Sequence, residues 1–217
     1  MKPYLIFDYD GTLVNSKEMW LSAFKEVMKK FGHEMRNEDI KARMGPKTKE
    51  MIALCLPENE KQKAELGKEM IDQIVSSEKG LKLVNLCSNA LETITALKKK
   101  GYKMSLVTNS DAAFVFASLK RFQIQDGFWD LIITADDPFA KKEDSFKFLT
   151  EALELNNGIV YIADKASDAA LAKNAGVKSV IIASAHSWDS EEKIMAARPD
   201  FLIHDLKELP KLLTKSL

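Results

Sequence analysis

The chain has 217 residues, enough for one domain or for one domain with a sizeable insertion. Basic and acidic residues number 32 each, so the formal net charge is zero, which argues against a general binder of nucleic acid or anionic membrane. No apolar run approaches the ~18 residues of a membrane span. The start, with Lys2 and only a short apolar run after it, has no signal-peptide pattern. The two cysteines, Cys55 and Cys87, offer neither metal-ligand spacing nor a disulfide framework. A soluble cytoplasmic protein, monomeric by default, is expected.

Residues 4–7 form a short apolar run that reads as a buried strand, closed by Asp8-Tyr9-Asp10-Gly11-Thr12. From about 15 to 80 no strand is evident. Met19, Trp20, Ala23, Phe24, Val27, Met28 and Phe31 recur at helical spacing, and Gly32 supplies a stop. Asn37 can cap a second helix ending at Gly45. Thr48 can cap a third that ends before Pro57. A fourth runs from about Ala64 to Gly80. After residue 81 the pattern alternates. Leu91, Ile94 and Leu97 mark a helix capped by Ser88 or Asn89. Strands are expected at 104–107, 130–133, 159–163, 179–183 and 201–203. Helices are expected at 111–122, 143–155 and 167–174, with a closing helix from Leu206. This alternation predicts an α/β fold: a doubly wound, Rossmann-like parallel sheet built from residues 1–14 and 82–217. An all-helical cap, residues 15–81, is inserted after the first strand.

The polar residues cluster at the predicted strand ends, where open α/β sheets bind ligands. Asp8 and Asp10 are close enough to repel unless a hard cation such as Mg²⁺ offsets their charge. The alternative is a pair of solvated loop aspartates. Thr108-Asn109-Ser110 follows the second core strand, and a hydroxyl beside backbone N–H groups makes either a phosphate cradle or a plain helix cap. Lys141 and Lys142 precede a helix, and Lys142 is preferred because Glu143 and Asp144 suit a first helical turn directly after it. Asp164 and Asp168 follow the strand at 159–163.

These motifs together resemble the haloacid dehalogenase-like superfamily. Asp8-Tyr9-Asp10-Gly11-Thr12-Leu13 matches its first motif, Asp-x-Asp-Gly-Thr-Leu/Val, in full. An apolar strand ending in Thr108, a lone lysine, and Asp164-x-x-x-Asp168 before a helix ending in Ala175-Gly176 look like the other three, in order. Glu143 stands where the family often has Pro, and Ala163 where Gly is usual; a Cβ at 163 is tolerable only at negative φ. The position of the helical insertion is similar to the phosphoglycolate phosphatase-like and β-phosphoglucomutase-like subset.

The resemblance implies a Mg²⁺-dependent phosphatase acting on a small phosphorylated metabolite. Asp8 is then the nucleophile and a metal ligand. Asp10 is general acid and base and binds metal through its backbone oxygen. Thr108 meets a phosphate oxygen, with Asn109, Gly11 and Thr12 in support at the substrate. Lys142 neutralises charge. Asp164 binds metal, and Asp168 binds through water and orients the lysine. The segment Arg43-Met44-Gly45-Pro46-Lys47-Thr48 falls at the family's specificity loop. Lys47 or Arg43 can reach an anionic group such as a carboxylate, or both stand as solvated helix ends. A sugar-phosphate mutase is the enzymatic alternative, disfavoured because residues 15–20 contain no histidine. A catalytically inactive binding protein of the same fold is the other.

Overall fold

The structure, a computed structural model, describes residues 2–124, 126–155 and 158–215. Strand β1 (Tyr4–Phe7) is followed by the two-residue β2 (Val14–Asn15). Helices α1 (Lys17–Lys30), α2 (Asn37–Lys41), α3 (Thr48–Cys55), α4 (Ala64–Ser76) and α5 (Glu78–Leu81) come next, with a 3₁₀ segment at Glu58–Lys63. Then come β3 (Asn85–Leu86), α6 (Ala90–Lys99), β4 (Met104–Val107), α7 (Ala112–Arg121) and β5 (Ile132–Ile133). The chain continues through α8 (Lys142–Ala152), β6 (Ile159–Ala163), α9 (Ala166–Asn174) and β7 (Lys178–Ile182). It closes with α10 (Glu191–Ala196), β8 (Phe201–Ile203) and α11 (Leu209–Lys215).

Six strands form one parallel sheet in the order β5-β4-β1-β6-β7-β8. The fold is the expected doubly wound α/β arrangement. Its first strand lies at the centre, and the chain winds outward to one side and then to the other. The gap between the loops after β1, β4 and β6 is therefore the switch point where such sheets hold ligands. Side chains alternate between two cores, as a pleated strand requires. Leu5 and Phe7 face one, and Tyr4 and Ile6 face the other. Both faces are covered, so β1 and β6 are buried along their whole length.

The core beneath Leu5 and Phe7 does not stop at the sheet. It runs without a break to Trp20, Phe24, Ile52 and Ile71 in the helical segment. Phe114 of α7 joins the two parts, edge-on to Tyr9 at 5.7 Å and to Trp20 at 5.4 Å between ring centroids. Where the helical segment leaves and rejoins the sheet, β2 and β3 pair antiparallel, with Val14 opposite Leu86. That ribbon was not expected; two residues are too few to show a period.

Several expected boundaries shift for local reasons. Thr48 begins α3 but does not cap it, because its hydroxyl is drawn to the buried Asp111 carboxylate. The helix expected to reach Gly80 breaks at Ser77, whose hydroxyl accepts the Gly80 N–H and starts α5. Asn89 sits before α6 at φ +57°, and its amide donates to Asp205 instead of to the helix end. Helix α10, which follows a Ser190 cap, was not foreseen. No helix among the described residues is long and apolar enough to cross a membrane.

Phe114 is fully buried between two aromatic neighbours that belong to different parts of the chain. Phe114→Ala is expected to cost about 3–5 kcal/mol in chemical denaturation. A loss below that range would mean that the helical segment closes the gap left by the ring.

Candidate active site

The loops after β1, β4 and β6 meet the helical segment around a cleft of about 510 Å³. Asp8, directly after β1, lies on its floor and is 8% exposed. Asp164, directly after β6, is fully buried, and Asp168 stands in the first turn of α9. Carboxylate oxygens of these three residues lie within 4.8 Å of one another. Burial raises the pKa of Asp164 well above the usual carboxylate range, and the charges of Asp168 and Asp8 raise it further. Burial likewise lifts Asp168 to about 6, against the pull of Lys142.

Lys142 answers this negative charge. It is the first residue of α8, and its Nζ donates to Asp8 Oδ1 at 2.7 Å and to the Tyr161 hydroxyl at 2.6 Å. Burial works against its charge, but Asp8 and Asp168 outweigh that and raise its pKa. Lys141 remains exposed at the helix cap, so the structure brings Lys142 to the cluster. The expected orienting contact from Asp168 is indirect: Tyr161 donates to Asp168 Oδ1 at 3.0 Å and stands between the two. Tyr161 was missed. Its one signal was a phenol in an otherwise aliphatic strand, since a buried hydroxyl needs a partner. Asp168 also accepts the Lys165 N–H at 3.2 Å, which closes the first turn of α9.

Asp164 is held from the other side. Its Oδ2 accepts the Trp188 N–H at 2.5 Å, while its Oδ1 is buried with no hydrogen-bond partner among the described residues. A buried carboxylate oxygen without a donor is costly, and a cation is what would satisfy it. The residues present therefore fit a hard divalent ion. Gly11 makes this approach feasible. Its φ is +77°, and a Cβ there would collide with the Asp164 carboxylate and come within 2.9 Å of the Trp188 ring. Ala163, by contrast, sits in β6 without positive φ and packs into the lower core, so the missing glycine causes no strain.

Asp10 is turned away from the three carboxylates. Its Oδ1 accepts from the Ser16 hydroxyl and, at 2.7 Å, from Trp20 Nε1; its Oδ2 accepts from the Ser110 hydroxyl. Burial raises its pKa, against these three hydrogen bonds. Ser16, Trp20 and Ser110 were not foreseen as its partners. Thr108 lines the cleft at the end of β4, where its Oγ1 accepts the Ser110 N–H at 3.0 Å. Asn109 donates to Gly45 O at 2.7 Å, across the cleft to the loop before α3.

Four of the expected residues lie elsewhere. The positive φ of Gly11 turns the chain away from the cleft, so Gly11 and Thr12 line a second cavity of about 220 Å³ beside Cys87. Arg43 folds back onto Asp39 O at 2.7 Å, the carbonyl of its own short helix. Lys47, in extended backbone before α3, reaches past the cleft to Ala135 O at 2.7 Å. Lys165, in the loop after Asp164, lines the cleft and donates to Met44 O at 2.7 Å.

Gly11→Ala is expected to destabilise the fold by more than the ~1–2 kcal/mol of a left-handed alanine, because the Asp164 carboxylate must also move. Thermal unfolding without added metal measures this. A variant as stable as the parent would show that Asp164 can shift at no cost.

Comparison with known proteins places the chain in a family. The model of the haloacid dehalogenase-like hydrolase family matches residues 5–182. Pyrophosphatase PpaX of Bacillus mycoides (strain KBAB4) is 28% identical over 220 residues, covering 97% of this chain and 96% of that protein. A predicted phosphatase from Clostridium acetobutylicum superposes with a TM-score of 0.83 at 20% identity, over 99% of each chain. A predicted phosphoglycolate phosphatase from Haemophilus somnus gives 0.81 at 21%, over 97% of each. CbbY from Rhodobacter sphaeroides, solved in complex with phosphate, gives 0.76 at 22%, over 96% of each. These structural likenesses show the shared fold. With the family match extending from the first strand through β7, this chain belongs to the haloacid dehalogenase-like hydrolases.

Proposed function

We propose that this hydrolase is a Mg²⁺-dependent phosphatase that cleaves a small phosphate monoester through an aspartyl phosphate on Asp8. The observation that carries the reading is the setting of Asp8. It lies at the switch point, 2.7 Å from a buried lysine, beside a carboxylate oxygen that lacks a donor. Asp8 and Asp164 would hold the ion, with the backbone oxygen of Asp10. When bound, the ion supplies positive charge against the repulsion between phosphate and nucleophile.

The protein's own groups account for the rest. The Asp8 carboxylate attacks phosphorus in line with the ester oxygen, and the bond from phosphorus to that oxygen breaks. Asp10, whose raised pKa suits it to hold a proton, gives that proton to the departing alkoxide. It then takes a proton from the water that attacks the aspartyl phosphate, and the bond from phosphorus to Asp8 breaks. Lys142 offsets charge on Asp8 throughout, and Tyr161 fixes the lysine. Thr108 and the backbone N–H groups beside it receive phosphate oxygens. Residues 15–81 act as the cap over the core of residues 1–14 and 82–217, excluding water when closed. The substrate is a small soluble metabolite, and the names of the relatives place pyrophosphate and phosphoglycolate in the first panel to assay.

Phosphate release from an aryl phosphate, with Mg²⁺ and with chelator, tests the proposal. Activity is expected to need the metal and to fall roughly 10³-fold or more in Asp8→Asn. Full activity in that variant would remove Asp8 as nucleophile.

The cluster also sets a pH dependence. In the metal-free protein Asp168 holds its proton up to about pH 6, whereas an unfolded aspartate releases it near 3.8. Between those values the folded state binds more protons, so this group's contribution to stability falls as pH rises through the window. A cation favours the ionised cluster, so the rise in Tm on adding Mg²⁺ is expected to be larger near pH 7.5 than near pH 5. Equal shifts at both would show that these carboxylates do not bind it.

A further inference from the structure

The floor and the roof of the cleft differ in charge. The floor, made by the strand ends, presents Asp8, Thr108, Lys142 and Asp168. The roof, made by the helical segment, presents Trp20, Phe24, Met44, Pro46, Thr48 and Met51, together with Gly45. None of these is charged. The two roof cations placed here by sequence are engaged elsewhere, Arg43 on Asp39 O and Lys47 on Ala135 O. Lys47 is fixed in that direction because the loop before it is pinned. Asn109 donates to Gly45 O and Lys165 to Met44 O, and the Thr48 hydroxyl just after it binds Asp111.

The cations that do line the cleft are Lys142 and Lys165, and the carboxylates are Asp8, Asp10, Glu143 and Asp168, with Asp164 behind them. Lys142 is paired with Asp8. Lys165 holds a roof carbonyl, and its charge acts on Asp164 and Asp168. A divalent ion on the carboxylates and the dianion of one phosphoryl group would balance each other. Among the described residues lining the cleft, Lys165, already bonded to the Met44 carbonyl, is then the one cation at the roof end. A second anionic group there would be desolvated, would have to share that one ammonium with the Met44 carbonyl and the carboxylates it already offsets, and would face an excess of carboxylates.

We propose that the leaving group this enzyme accepts is uncharged and offers apolar surface to the roof. The substrate class is a phosphate ester of a neutral alcohol, in preference to one whose alcohol carries a carboxylate or a second phosphate. The inference rests on the phosphatase reading and narrows it. It also separates this chain from the substrates in its relatives' names, each of which carries an additional anionic group.

The test is steady-state kinetics on matched pairs with Mg²⁺: phenyl phosphate against 4-carboxyphenyl phosphate, and ethyl phosphate against phosphoglycolate. The neutral member of each pair is expected to have the higher kcat/KM, by about tenfold or more. An equal or higher value for the anionic member in both pairs would overturn the proposal while leaving the phosphatase reading intact. Phosphate release from none of the four would remove that reading, and the proposal with it. Met44→Lys adds a cation to the roof and is expected to move the neutral-to-anionic ratio by at least about fivefold toward the anionic ester. A ratio that stays put in a folded variant would show that roof charge does not set the preference.

Discussion

Everything in this molecule is arranged around the repulsion among Asp8, Asp164 and Asp168. Three carboxylates within 4.8 Å, each buried, cannot all keep their charge in the bare protein. Burial raises the pKa values of Asp164 and Asp168, and the charges of their carboxylate neighbours add to it. The repulsion is contained by groups from separate parts of the chain: Lys142 from the start of α8, the Tyr161 phenol from β6 and the Trp188 N–H from the loop after β7. A doubly wound sheet can gather them because its first strand lies in the middle and its neighbours deliver their ends on both sides. The orphaned Asp164 oxygen is what remains uncontained. A protein that had only to be stable would replace such a group with an apolar one. A site proposed to grip a cation has reason to keep it.

The second dependence runs upward, from the floor to the roof. Asp10 follows β1 by three residues, yet two of its three side-chain donors, Ser16 and Trp20, come from the start of the helical segment. The residue proposed to move the proton is therefore aimed by the helical segment proposed to act as the cap. Other contacts cross the same boundary. Lys68 of α4 reaches Asp111 and Asp136 at 3.1 Å each, and the Met44-Gly45 carbonyls are held by Lys165 and Asn109. Opening the cleft would expose the buried Asp111 charge and strip Asp10 of two hydrogen bonds. The closed arrangement is thus favoured by polar as well as apolar contacts, and the proposed acid would be correctly placed only when water is excluded.

The fold and the floor were legible in the sequence because their signals are local. A short apolar run followed by Asp8 or Asp164 marks a strand and its end in a few residues. Lys142 over Lys141 could be chosen from the acidic first turn that follows. The roof was not legible in this way. Whether Lys47 faces the cleft or the core depends on where a carbonyl some 88 positions later lies, and no local pattern encodes that. Tyr161 was missed for the same reason: a hydroxyl in a strand acquires meaning only from what the fold sets beside it. The β2–β3 ribbon and the break at Ser77 are short capping and pairing events, below the length at which periodicity speaks.

This division has a consequence for how such enzymes diverge. The reaction proposed for the floor is common to any phosphate ester, so the chemistry itself would constrain the residues there. Apart from Trp20, which holds Asp10, the roof residues would on this reading meet only the leaving group, so they could change charge without disturbing the reaction. A relative can keep the floor and the whole fold while differing in the sign of one side chain above it. Identity near one quarter over the full length is compatible with the same mechanism and a different substrate. In this chain the roof cation is present in sequence, as Lys47, but is turned onto a core carbonyl. On the proposed reading, the direction of one side chain, set by the pinned loop before it, decides what the cleft will hold.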